Sequence, residues 1–149
     1  MPDKMDNVCK EKTLVLIKPG RGLKHIVKIK ERLSNYGEII REKSYSKAPM
    51  DKIIKTYKDH EKKTALYRGT PFHQGILDHF RNRPVISILL QGENIISEVT
   101  KLKGNPNPGK AKRGTIRHEY GNIKNYHDNC VHSSDRKSAI REIEIWFPA

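Results

Sequence analysis

Apolar residues are scarce in this chain: 35% of its 149 residues are hydrophobic and only 7% are aromatic. No apolar run approaches the roughly 20 residues that a helical bilayer span requires, which argues against a membrane protein of that kind. Cysteine is nearly absent as well. Cys9 and Cys130 are the only two, too few for a disulfide framework. Met1–Lys12 is polar and charged, without the apolar stretch of a secretion signal. These shortages lead us to expect a protein of a reducing compartment, the cytoplasm, with the nucleus open to so basic a chain. Acidic residues are also in deficit, 17 against 30 Lys and Arg, for a net charge of +13. Such a field attracts polyanions: free nucleotides, nucleic acid or anionic lipid.

The apolar residues that are present fall in short periodic runs, as in a folded domain with a heavily solvated surface. After a polar tail (residues 1–12), the remaining residues, 13–149, are expected to form one domain. Thr13–Lys18 is continuous and β-leaning, the pattern of a strand buried on both faces. Leu23–Tyr36 reads as a helix ended by Gly37, Ile39–Tyr45 as a more exposed strand, and Met50–Lys58 as a helix. Asp59–Thr70 is polar and reads as a surface insertion. Phe72–Phe80 is helical, Val85–Leu90 a second buried strand, and Asn94–Lys103 a helix with Asn94 as N-cap. Gly104–Asn129 shows little periodicity, a length that in a compact domain points to function or disorder. Cys130–His132 reads as a short strand end. Ser134-Asp135 reads as the N-cap of a last helix whose Ala139, Ile140, Ile143 and Trp146-Phe147 pack on the core. This order suits an α/β sandwich of the ferredoxin-like βαββαβ type, a four-stranded antiparallel sheet covered by helices.

Seven histidines are present, and six of them lie in charged, helical or loop contexts where a surface or structural role is the plainer reading. His132 differs, because it closes an apolar strand end before an expected helix start. A helix N-terminus favours anions, and imidazole can form a covalent intermediate. Lys18 ends a buried strand at the sheet edge where open α/β folds place ligands. Arg117 follows a turn inside the basic loop, where ordinary solvated charge is the competing reading.

Together these residues resemble the nucleoside diphosphate kinase family. The matching stretches run in order from Thr13–Gly20 through Pro71-Phe72 with Gly75, Gly92 with Asn94, Gly104 with Asn107-Pro108 and Gly114–Arg117. They continue with Asn129–Asp135 and with Ser138-Ala139, Glu142 and Trp146-Phe147. The Asn129-Cys-Val-His132-Ser-Ser134-Asp135 segment is similar to the family's active-site signature.

The resemblance implies a ping-pong transfer of the γ-phosphate of ATP or another nucleoside triphosphate, with Mg²⁺, through a phosphorylated His132 to a nucleoside diphosphate. By the same resemblance, Lys18 meets the terminal phosphate and ribose, and Tyr57 sits beside His132. Phe72 stacks on the base with Ile76 along its edge, Arg117 holds phosphates, Asn129 holds the ribose 3′-hydroxyl, and Ser134 and Glu142 fix the imidazole. Family likeness also implies a homo-oligomer, a hexamer before a tetramer. The alternatives are a catalytically weakened nucleic-acid-binding protein on the same fold and a purely structural subunit.

The chain departs from the family pattern in several places. The turn after Lys18 lacks an aspartate, the stretch after Tyr57 is longer, and the loop from Arg117 to Asn129 is slightly longer. At the nucleotide-binding positions where the family has a phosphate-contacting arginine and threonine, this chain has Thr100 and Pro106. Lys101 and Lys103 are expected on other faces of the helix. Each lost charge-assisted bond is worth about 1.5–3 kcal/mol, so weaker binding or slower turnover is expected rather than abolition.

Overall fold

The structure, a computed structural model, describes residues 10–149. The first nine residues of the expected tail, Cys9 among them, lie outside the described residues. Residues 10–12, also expected in the tail, instead begin strand β1 (Lys10–Ile17).

Four strands form one sheet in the order β2-β5-β1-β6, each antiparallel to its neighbours: β2 is Glu38–Tyr45, β5 is Val85–Glu93 and β6 is Val131–Ser133. With helix α2 (Ile26–Ser34) between β1 and β2 and α5 (Ile95–Lys103) between β5 and β6, the fold is ferredoxin-like, as the residue pattern implied. The two central strands are buried on both faces, which explains their continuous apolar runs. Val15 and Ile17 of β1, with Ile88 and Leu90 of β5, face a core closed by Ile29 and Leu33 of α2 and by Ile95, Val99 and Leu102 of α5. Leu14, Leu16 and Leu89 face the opposite core, covered by α3 (Met50–Thr56), α4 (Phe72–Phe80) and α7 (Ala139–Trp146). The second face bears the site, because α3, α4 and α7 deliver Tyr57, Phe72 and Glu142 to the open end of β1 and β6.

Several expectations need correction. The helix expected over Leu23–Tyr36 is two pieces, α1 (Arg21–Lys24) and α2, broken at His25 (φ −109°, ψ 26°). The insertion is not featureless: it holds a 3-10 turn at Lys58–His60 and a small hairpin, β3 (Leu66–Tyr67) and β4 (Thr70–Pro71). The loop Gly104–Asn129 holds a 3-10 turn at Pro108–Lys110 and helix α6 (Ile116–Tyr120), capped by Thr115 Oγ1 accepting from the His118 N–H. Asn94 does precede α5, but in the left-handed region (φ 52°), where its side chain makes no capping bond. Glu11 Oε1 accepts from the Ile96 N–H at 3.4 Å in its place.

The last helix begins at Ala139, not at Ser134-Asp135. Asp135 Oδ1 accepts from the Ser138 N–H (2.9 Å) and hydroxyl (2.8 Å), which makes a turn between His132 and the helix. Ile140 is exposed, because α7 turns Ala139, Glu142 and Trp146 inward and Ile140 lies off that stripe. No helix among the described residues is long and apolar enough to cross a membrane.

Candidate active site

His132 lies in β6, paired with Leu16 of β1, and lines a cleft at the open end of these strands. Its Nε2 is 2.7 Å from Glu142 Oε1 on α7, and Ser134 Oγ donates to the same oxygen at 2.9 Å. Glu142 is buried. Burial pushes its carboxyl up, but the bonds from His132 and Ser134 outweigh this and hold it below the usual carboxylate range. Burial lowers His132, against the opposing pull of Glu142, so its ring is neutral at pH 7. An ionised carboxylate on Nε2 requires the proton there, which leaves the Nδ1 lone pair free. Nδ1 makes no hydrogen bond among the described residues. Ser134 therefore touches the Glu142 oxygen that holds the imidazole and makes no hydrogen bond to the ring itself.

Lys18 is buried where β1 ends, and its Nζ donates to the His127 carbonyl (2.8 Å) and to Asn129 Oδ1 (2.7 Å). Burial and the nearby Arg117 guanidinium bring its pKa down to about 7. Asn129 Nδ2 in turn donates to the Pro106 carbonyl at 2.8 Å. Arg117 reaches from α6 into the same cleft. It donates to the carbonyls of Asn129 (3.1 Å), Gly104 (2.9 Å) and Val131 (2.7 Å), which spends three of its five N–H groups and ties the basic loop to β6. The backbone of Cys130, in the left-handed region (φ 75°), lets its carbonyl take the Lys18 N–H at 2.9 Å.

Tyr57, just past α3, is buried with its ring 4.9 Å from that of His132. Burial drives its phenol strongly upward, so it stays protonated. Phe72 opens α4 and Ile76 follows one turn later; both line the cleft, as does Pro106. Phe72 packs edge-on against Tyr126 (4.8 Å) and tilted against His127 (4.7 Å). Thr100 is apart from the rest: it is exposed, bonds back to the Ile96 carbonyl (2.9 Å) and does not line the cleft.

The cleft also holds residues that sequence reasoning passed over: His60 and Lys63 from the insertion, Lys103, Tyr126, His127 and Asp135. His60 and His127 are both lowered to about 4 by burial, with Lys63 and Lys18 respectively adding to the effect. Lys103, expected on another face of α5, in fact donates to the Ser133 carbonyl beside His132 (3.2 Å). Lys103 is the last residue of α5, and its long stem lets the ammonium reach past the helix end, which a face-by-face count does not reveal. By contrast His79 is a structural histidine, donating from Nε2 to the Pro19 carbonyl at 2.9 Å.

The family model for nucleoside diphosphate kinase matches residues 11–149. The chain belongs to the nucleoside diphosphate kinase family. It is 36% identical to a nucleoside diphosphate kinase of Rhodococcus opacus, covering 93% of this chain and 95% of the relative. It is 32% identical to one of Staphylococcus epidermidis, over 92% and 87%. Among solved structures it is similar to the Aquifex aeolicus nucleoside diphosphate kinase (TM-score 0.79, 26% identity, 93% and 96% covered). It is also similar to the halophilic nucleoside diphosphate kinase of Halobacterium salinarum in complex with CDP (TM-score 0.80, 27% identity, 95% and 90% covered). Within this nucleoside diphosphate kinase fold, the spread of cleft residues over the whole chain accounts for the dispersal of the matching motifs.

Proposed function

We propose that this chain transfers the γ-phosphate of a nucleoside triphosphate to a nucleoside diphosphate, with His132 Nδ1 as the intermediate carrier. The observation that carries this reading is the Nε2–Glu142 bond of 2.7 Å, which leaves Nδ1 free in a cleft shared with Lys18 and Arg117. In the first half-reaction the Nδ1 lone pair attacks the γ-phosphorus. A P–N bond forms, the bond to the bridging oxygen breaks, and the diphosphate leaves with those electrons. In the second half, a terminal oxygen of another diphosphate attacks the same phosphorus and the P–N bond breaks, which restores His132.

Such a transfer depends on positioning and on neutralising charge. Lys18 and the two unspent N–H groups of Arg117 supply charge toward the phosphates. Asn129, held by Lys18 and Pro106, is the ribose contact, and Phe72 with Ile76 takes the base. Tyr57 packs on the imidazole and keeps a protonated hydroxyl near the incoming phosphate. Pro106 offers its carbonyl to Asn129, whereas Thr100 takes no part in the cleft.

Magnesium fits this donor set as a companion of the nucleotide. It keeps several waters and needs only one or two carboxylates beside phosphate oxygens, and Asp59 and Asp135 line the cleft. When bound it would offset phosphate charge.

Assembly as a homo-oligomer, a hexamer before a tetramer, belongs to the same proposal; the exposed Val27, Tyr36 and Ile40 on and beside α2 and β2 support a protein-covered surface. Cytoplasmic residence, with the nucleus open, is proposed with it, and the buried free thiol of Cys130 suits a reducing compartment. The nucleic-acid alternative rests only on the charge of +13, which supports a weak nonspecific attraction and no more.

The test is intact mass in alkaline buffer after incubation with ATP and Mg²⁺. A phosphoryl adduct on the wild type, absent from His132→Ala and discharged by GDP, is expected. An equal adduct on His132→Ala, or none on the wild type, overturns the reading.

A further inference from the structure

Lys103 is a charged residue of the cleft to which the transfer assigns no part. Lys103 ends α5, and Gly104 (φ 84°) then turns the chain away so that its carbonyl receives Arg117. Lys103 lines the cleft, half-buried, and its ammonium donates to a single neutral acceptor, the Ser133 carbonyl at 3.2 Å. Among the described residues no carboxylate pairs with it within ion-pair distance. Glu142 and Asp135 are near enough to pull on it, yet burial and the Arg117 guanidinium prevail and bring its pKa down to about 7.

A lysine kept in this way is a poor structural choice. One bond to a carbonyl does not offset the removal of an ammonium from water beside a second cation. An anion in the cleft would supply what the site lacks, because two of the three ammonium donors are unspent. Meanwhile Thr100, three residues back on the same helix, points out of the cleft and bonds to its own backbone.

We propose that Lys103 is a phosphate-binding residue, the cation that α5 contributes to the nucleotide's phosphate chain beside His132. The inference rests on the proposed function, because it takes the cleft to be a polyphosphate site. Lys103 thereby fills the role left vacant by Thr100, from the helix end rather than from the preceding turn. The ligand class is a nucleoside di- or triphosphate, and the contact grows with phosphate charge.

The test compares wild type, Lys103→Met and Lys103→Arg by calorimetric ADP binding, steady-state kinetics and thermal melting without nucleotide. Lys103→Met is expected to bind ADP about 10- to 100-fold more weakly, the worth of one charge-assisted hydrogen bond. Its KM should rise more than its kcat falls, and its Tm should be unchanged or higher, since a half-buried, unpaired charge is gone. Lys103→Arg should recover most of the affinity. ADP affinity of Lys103→Met within twofold of wild type overturns the proposal. So does a loss that Lys103→Arg does not recover, or one that comes with a lowered Tm, the mark of a merely structural strut. Failure of the wild type itself to bind ADP would sink the proposed function instead, so the two failures are distinguishable.

Discussion

Glu142 accepts from His132 Nε2 at 2.7 Å and from Ser134 Oγ at 2.9 Å, so a single carboxylate oxygen selects the tautomer of the imidazole. The pH dependence follows from that contact. His132 must be neutral to attack, and burial holds its pKa below 6.5. As pH falls through that lowered value Nδ1 takes a proton, so the rate of phosphohistidine formation should have an acid limb lying below pH 6.5. Glutamine at position 142 keeps an acceptor but loses the negative charge that pulls the His132 pKa upward. Glu142→Gln should therefore move the acid limb to still lower pH while slowing phosphorylation about 10- to 100-fold, as expected for loss of a charge-assisted bond. Rapid-quench measurement of the phosphoenzyme between pH 5 and 8 checks both. A limb that moves upward would show that Glu142 does not act on the ring in this way.

At the scale of elements, the site depends on how closely α1 approaches β6. A Cβ placed on Gly22 would lie 2.1 Å from the Cys130 carbonyl oxygen, the acceptor that receives the Lys18 N–H. Gly22→Ala should cost about 1–3 kcal/mol by overpacking and lower Tm by several degrees in a thermal melt. It should also loosen Lys18. A second joint lies between the inserted hairpin and the nucleotide-facing loop. Tyr67 Oη accepts the Tyr126 N–H at 2.7 Å, and Arg68 donates to the Lys124 carbonyl. Tyr67→Phe hands that half-buried N–H to water and unties the loop, and should raise KM for nucleotides up to about tenfold with little change in Tm; steady-state kinetics against a melt separates the two.

These joints also mark what the sequence could and could not reveal. Strands β1 and β5 were legible because burial on both faces forces an uninterrupted apolar run. His132 was legible as an imidazole closing an apolar strand end, whereas Ser134, in the turn after β6, and Glu142, on α7, were reached through the family resemblance. The Tyr67–Tyr126 contact joins positions 59 residues apart through a two-residue strand too short to have a period. Ile140 was misread because α7 buries a charged residue, Glu142, where an apolar one would mark the inward face. Lys103 was assigned by the direction of its Cβ, whereas its four-carbon stem carries the ammonium around the helix end.

For the molecule as a whole, the charge of +13 and the low lysine pKa values bear on a single quantity, the free energy of bringing in a polyanion. Lys18 and Lys103 are both held at about 7 by burial, with Arg117 adding to the effect, in the cleft without ligand. Bound phosphate oxygens favour the charged ammonium and raise both values. The sign follows from proton counting: above pH 7 the free cleft holds fewer protons than the occupied one, so binding takes protons up and affinity falls as pH rises. Well below pH 7 both lysines are already charged, and this linkage vanishes. Calorimetric ADP titrations at pH 8 in two buffers of different ionisation heat should therefore give different apparent enthalpies, with the difference indicating net proton uptake. At pH 6 the part due to these lysines should disappear, and Lys103→Met should remove its share at pH 8. The same titrations across added salt should show affinity weakening as the long-range field is screened, while proton uptake, set inside the cleft, changes far less. Buffer-independent enthalpies at pH 8 would mean that the two ammonium groups are already fully charged before the nucleotide arrives.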